Sequence, residues 1–175
     1  MKKQDILENQ VNHAYLSLGS NLGNRITNLQ MAKGLLNLKG INILRASGFY
    51  KSKSWPNENF PYYFNIALYV KTRFKLIELF NKIKFIEKFM GRSNSRRNYP
   101  RICDIDIIDF NGVYSHNNHL HQKIIVPHTR MHKRSFVLMP LYELNKEWYH
   151  PKLKKNIVNL MSNLSIKDLR SIKLT

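Results

Sequence analysis

The period of the apolar side chains changes several times before Phe110, and the order of those changes restricts the fold more than any other feature. Residues 14–19, AYLSLG, alternate and then stop at Gly-Ser-Asn, a strand running into a turn. From Arg25 to Leu38, the side chains Ile26, Leu29, Ala32, Leu35 and Leu36 follow helical spacing, with Asn24 as N-cap and Gly40 just past the end. Two strand-like runs come next, Ile41–Ser52 and Tyr62–Lys71, separated by the turn-rich KSWPNENFP. Leu76, Leu79, Phe80, Ile83, Ile86 and Met90 then form a second helical stripe, with Thr72 to cap its start and Gly91 its end. Ile102–Phe110 reads as a buried strand.

Strand, helix, strand, strand, helix, strand is the order of an α+β, ferredoxin-like sandwich: a βαββαβ core in which both helices pack on one face of an antiparallel sheet. The remaining third reads as a polar loop (NGVYSHNNH), a short strand (KIIVPH), a helix near Met131–Leu138 and a second near Ile157–Leu164. These make a C-terminal helical extension. With no repeat and no flexible linker, residues 1–175 are expected to form one domain.

Charge narrows the partners. The chain carries 29 basic and 11 acidic residues, a net +18, which favours nucleic acid, acidic membrane or nucleotide phosphates. The longest apolar run in the strand region, Ile66 to Val70, is far below membrane-spanning length, and lysines at the amino terminus precede no apolar run. A single cysteine, Cys103, fits a reducing cytoplasm. Neither a membrane association nor an export signal is expected.

The segment 91–110, GRSNSRRNYPRICDIDIIDF, concentrates the chemistry. In a strand, Asp104 and Asp106 point the same way, while Cys103, Ile105 and Ile107 point the other. Their Cβ atoms lie ~6–7 Å apart, a spacing that suits hard cations such as magnesium, which keeps part of its shell for water and phosphate oxygens. Aspartate is disfavoured in strands, and two buried anions without counter-cations are costly. Arg92, Arg96, Arg97 and Arg101 precede the pair, and guanidinium forks match phosphate oxygens. Metal on one side and arginines on the other is what polyphosphate transfer requires. No G-x-x-x-x-G-K-[ST] loop occurs, and LGSNLGN reads as a simple turn before a helix.

Tyr63, Asn65, Ala67 and Tyr69 share one face of the second strand-like run. An aromatic beside an amide can receive a flat heterocycle by stacking and paired hydrogen bonds, with Phe136 closing the other side.

These residues resemble a known family, the 6-hydroxymethyl-7,8-dihydropterin pyrophosphokinases of folate biosynthesis. PRICDIDIIDF is similar to its two-aspartate signature, VPHTRMHKRSFVLMPL to its second block and AYLSLGSNLGNR to its amino-terminal block. FYKSKSWP and YYFNIALYVKT match the intervening segments, so the resemblance runs from about Ala14 to Leu144. It implies a ferredoxin-like transferase that moves pyrophosphate from ATP to the hydroxymethyl oxygen of the pterin and releases AMP. By position, Asp104 and Asp106 would bind two magnesium ions, and Arg92 and Arg101 would contact the phosphates. Glu87, Ile107, Lys123, His128 and Arg134 would surround the nucleotide. The pterin would lie between Tyr63 and Phe136, read by Asn65, with Ser52 and the backbone near Trp55 completing the pocket.

The chain departs from many members at three places: Asn98-Tyr99 stands where they carry Trp-Gly, Thr129 follows His128 in place of an aromatic, and Lys84 occupies a usually uncharged position. The alternative reading is a basic ferredoxin-like module for single-stranded nucleic acid, with Tyr62, Tyr63 and Tyr69 stacking bases. It leaves Asp104 and Asp106 without a task, and no specific nucleic acid is expected.

Overall fold

A computed structural model describes residues 11–54, 57–92, 99–119 and 122–175. Strand β1 (Asn12–Ser20) leads through a turn into helix α1 (Arg25–Leu38). The Asn24 side chain accepts from the Thr27 amide at 3.2 Å, and Gly40 follows the helix with φ of 81°. Both helix boundaries therefore follow from local chemistry. The strands β2 (Asn42–Ala46), β3 (Tyr50–Ser52) and β4 (Tyr63–Thr72) come next, then helix α2 (Leu76–Phe89) and strand β5 (Asp104–Phe110). Gly91, with φ of 94°, ends α2 as expected.

The sheet order is β3-β4-β1-β5, with β2 also pairing with β4, and every pairing is antiparallel. The strands joined by helices are not adjacent: β4 lies between β1 and β2, and β1 between β4 and β5, as the βαββαβ order demands. Helices α1 and α2 cover one face. Leu16, Leu18, Ile66, Leu68, Val70, Ile105 and Ile107 meet Leu29, Ala32, Leu36, Leu79, Ile83 and Ile86 there, all buried. Each such side chain contributes roughly 1.5–3 kcal/mol relative to exposure.

The last third covers part of the opposite face. After the hairpin β6 (Ser115–His119) and β7 (Gln122–Val126), a 3-10 turn (Met131–Lys133) enters α3 (Ser135–Leu144). Short strands β8 (Tyr149–His150) and β9 (Lys155–Asn156) precede α4 (Ile157–Ser162), α5 (Ile166–Arg170) and β10 (Lys173–Leu174), which pairs with β3 at the sheet edge. A second core of Ile108, Met131, Val137, Leu138, Leu141, Trp148, Ile157 and Leu160 forms beneath α3. A bulge makes this possible: Leu16 pairs with Ile107 and Tyr15 with Asp109, so Ile108 is the extra residue and turns to the second core.

Four expectations are corrected. Ile41–Ser52 is two strands, because Gly48 N and the Tyr50 hydroxyl both donate to the Glu143 carboxylate (3.0 and 2.8 Å) and pull the chain out of register with β4. NGVYSHNNH is not all loop, since Ser115–His119 pairs with β7. Thr72 ends β4 and does not cap α2; the Glu78 carboxylate accepts from Lys75 N at 2.8 Å instead. The helix near Met131–Leu138 begins at Ser135, preceded by the 3-10 turn. Among the described residues, no helix is long and apolar enough to cross a membrane.

Candidate active site

Strands β1, β4 and β5 alternate, so the residues between their core positions emerge together on the far face. Register fixes them in rows: Gly19 pairs with both Asn65 and Asp104, and Ser17 with both Ala67 and Asp106. Asn65 and Asp104 therefore flank Gly19 at two strand spacings, about 10 Å. A Cβ at Gly19 would come within 3.2 Å of Asn65 Oδ1 and 3.3 Å of a Tyr63 ring carbon, so only glycine leaves this floor flat. Of helix α3 only Phe136 reaches the space over these rows. A cavity of about 310 Å³ remains, walled by Lys84, Arg92, Arg101, His128, Arg134 and Phe136 around the two carboxylates.

The carboxylates are held by guanidinium groups. Asp104 Oδ1 accepts from Arg92 Nη1 at 2.7 Å and from Arg101 Nη1 at 3.0 Å, while Arg134 Nη1 lies 3.5 Å from Asp106 Oδ2. Burial pushes the Asp104 carboxyl up, but Arg101 and Arg92, helped by Lys84, outweigh it and hold the group below the usual carboxylate range. Behind them sits Glu87, buried, which accepts from Ile105 N at 2.8 Å and from Lys84 Nζ at 2.7 Å and also pairs with Arg92. Its burial dominates and raises its pKa despite Lys84. Burial lowers the His128 pKa against the opposing Asp106 carboxylate, with Arg134 and Arg130 adding to the effect of burial. Arg101 Nε is buried with no partner among the described residues, a donor without an acceptor. In a cavity with several guanidinium groups, the missing acceptor has the chemistry of an anion.

On the other side of Gly19, the Asn65 amide nitrogen donates to Ser52 Oγ at 2.9 Å and to the Tyr50 carbonyl at 3.3 Å. Its orientation is thereby fixed from β3, with Oδ1 on the Gly19 side. Asn21, also buried, links the two halves: its Oδ1 accepts from Arg101 N at 2.7 Å and its Nδ2 donates to Ser54 Oγ at 3.1 Å.

Of the residues singled out by sequence, Ser52, Tyr63, Asn65, Arg92, Arg101, Asp104, Asp106, His128, Arg134 and Phe136 line this one cavity. Glu87 does not; it lies behind Arg92 and Lys84. The Ile107 side chain packs in the α1/α2 core, leaving only its backbone on the site's strand. Trp55, Arg96, Arg97, Asn98 and the Lys123 side chain lie outside the described residues, as does most of the arginine loop. Tyr99 packs against Phe60, ring centres 5.7 Å apart. Sequence reasoning missed Ser17, Gly19 and Arg130 in the lining and Asn21 behind it. The first two were readable: they share the alternation of AYLSLG with Tyr15, opposite Leu16 and Leu18.

The base-stacking alternative is not supported. Tyr69 is stacked on Tyr15 at 4.8 Å, with its hydroxyl 2.9 Å from His13 Nδ1, and Tyr63 lines the cavity. Of the three tyrosines only Tyr62 is exposed, with Lys51 Nζ 4.6 Å from its ring centre.

Residues 15–146 match the family model of the 7,8-dihydro-6-hydroxymethylpterin-pyrophosphokinases, HPPK. The folic acid synthesis protein of Pneumocystis carinii is 32% identical over 172 residues, which take in 98% of this chain and 22% of that protein. The 2-amino-4-hydroxy-6-hydroxymethyldihydropteridine pyrophosphokinase of Bacillus subtilis is 37% identical over 134 residues, 76% of this chain and 78% of that one. A crystal structure of Plasmodium falciparum HPPK-DHPS shares the fold, with a TM-score of 0.75 at 16% identity over 95% of this chain and 48% of its own. The chain thus spans about a fifth of the Pneumocystis protein and about half of the Plasmodium one. Its sequence match over residues 15–146 and its shared fold agree: the chain belongs to the 7,8-dihydro-6-hydroxymethylpterin-pyrophosphokinase family.

Proposed function

We propose that residues 1–175 act as one pyrophosphokinase domain that transfers the β,γ-diphosphoryl group of ATP to the hydroxymethyl oxygen of 6-hydroxymethyl-7,8-dihydropterin, releasing AMP. The observation that carries this reading is the pair of carboxylates on one sheet face, ringed by three guanidinium groups and facing a Tyr63–Asn65–Phe136 wall across Gly19.

The donor set fits magnesium. Asp104 and Asp106 offer hard oxygen ligands, and Asp104 Oδ2 receives no donor among the described residues. These two aspartates would hold two ions, which when bound neutralise the triphosphate and polarise the phosphorus under attack. Arg92 and Arg101, released from Asp104, turn to the phosphate oxygens, and the unpartnered Arg101 Nε gains its acceptor. Glu87 retains Arg92 through this exchange, keeping its guanidinium near the site. Arg134 and His128 contact the nucleotide from the opposite wall.

The acceptor is positioned by stacking between Tyr63 and Phe136 and by the fixed Asn65 amide, with Ser52 holding that amide. Its hydroxyl oxygen forms the new bond to the β-phosphorus as the bond from that phosphorus to the α,β-bridging oxygen breaks; AMP leaves with that oxygen and the hydroxyl proton is released to solvent. No covalent nucleophile is needed, because positioning and charge stabilisation supply most of the acceleration. The reading puts the enzyme in the cytoplasm, where the buried Cys103 thiol stays reduced. Incubation with ATP, magnesium and the reduced hydroxymethyl pterin tests it. AMP and the pterin diphosphate are expected in equal amounts, and ADP, or no pterin-dependent nucleotide product, would overturn it.

A further inference from the structure

A second cavity, of about 820 Å³, lies against the first, and Ser52, Arg130, Arg134 and Phe136 form a wall common to both. Its far side is built by Ile166, Lys167, Arg170 and Ile172, which follow the segment that matches the family model. That side is anchored. Lys173 and Leu174 pair with Lys51 and Tyr50 of β3, Ile172 is buried, and Thr175 N donates to the Phe49 carbonyl at 3.0 Å.

The lining is strongly cationic, with six basic side chains against Glu58 and Asp168. Lys53 is paired with Glu58 at 2.5 Å and Arg134 with Asp106 at 3.5 Å. Arg130, Lys133, Lys167 and Arg170 have no carboxylate within ion-pair distance among the described residues. Four unneutralised cations around one concavity focus a positive potential, and Phe136, Ile166 and Ile172 add apolar surface for a ring. The size is that of a small-molecule site.

Charge separates the two ends of the reaction proposed above. The pterin enters neutral, whereas its diphosphate ester carries several negative charges. Arg130 and Arg134 line both cavities, so a diphosphate moving from one to the other stays in contact with cations throughout. We infer that the second cavity binds the pterin diphosphate after transfer, with its ring against Phe136, Ile166 and Ile172 and its phosphates at Lys133, Lys167 and Arg170. This rests on the proposed reaction. It makes the C-terminal segment a holding site for the anionic product, one that the neutral substrate has no charge to use.

Calorimetry on the full chain tests it. With the first cavity saturated by a non-hydrolysable ATP analogue, magnesium and hydroxymethyl pterin, added pterin diphosphate should bind as one further equivalent, more weakly as salt rises. The double variant Lys167→Glu/Arg170→Glu should weaken that equivalent at least ten-fold. Lys133→Ala, outside the C-terminal segment, should weaken it several-fold. Single-turnover AMP formation and affinity for the neutral pterin should be unchanged in both. Absence of the further equivalent in the wild-type chain, equal binding by the variants, or a matching loss of neutral-pterin affinity would overturn the inference. A wild-type chain that makes no AMP would instead remove the reaction; supplying the product ready-made keeps the two failures apart.

Discussion

The two faces of the central sheet are made by the same strands and have opposite characters. Toward α1 and α2, β1, β4 and β5 present Leu16, Leu18, Ile66, Leu68, Val70, Ile105 and Ile107, all buried in one apolar core. Away from them, alternate residues are Ser17, Gly19, Tyr63, Asn65, Asp104 and Asp106, all facing one cavity. The first face contributes apolar burial. The second contains carboxylates gathered against desolvation, tolerable because each meets a guanidinium and because the face behind holds the strands in register. Stability and chemistry are thus separated by one residue along the chain.

That separation can be broken experimentally. The largest effect is expected from Asp104→Ala or Asp106→Ala: AMP formation should disappear while circular dichroism and cooperative melting persist. Retained turnover in either would end the proposed metal role. Arg101→Ala should lower kcat by about 10²–10³ with a smaller change in ATP affinity, as for loss of a transition-state contact. Across the sheet, Leu68→Ala should cost about 2–5 kcal/mol in denaturant unfolding yet leave turnover per folded molecule unchanged. A catalytic defect there would mean that the faces are not independent. Phe136→Ala should weaken pterin binding roughly ten-fold and ATP binding little, which titration with each ligand separately would check.

The smallest effect concerns the second core. His150 packs 5.6 Å from Trp148, and burial, with His132 nearby, lowers its pKa to about 4. In the unfolded chain it titrates near 6.5. The folded state therefore binds fewer protons between these values. Stability from this group is complete above pH ~6.5 and is lost as pH falls toward 4. His150→Gln should flatten the melting temperature over that window, and an unchanged slope would assign the acid sensitivity elsewhere.

Helix α1 was legible from end to end because its signals are local: Asn24 caps one terminus and Gly40 follows the other. The face shared by Asp104 and Asp106 was legible too, since it needs only the alternation of a strand. The break at Gly48 was not. It depends on Glu143, 95 residues further on, and no window around Gly48 contains it. The β6 strand was missed because Ser115–His119 has neither apolar alternation nor β-branched residues, and only pairing with β7 makes it extended. Glu87 illustrates a subtler limit. The resemblance put it around the nucleotide, whereas its burial behind Arg92 depends on how α2 lies against β5, which periodicity does not specify.

Asn21 has a wider consequence. One short side chain fastens Arg101 with its oxygen and Ser54 with its nitrogen, so the segment entering β5 and the segment following β3 share a single tie. A displacement of either one is passed to the other through these two hydrogen bonds. In the proposed reaction that tie would couple the nucleotide side of the cavity to the pterin side through a carboxamide outside its lining.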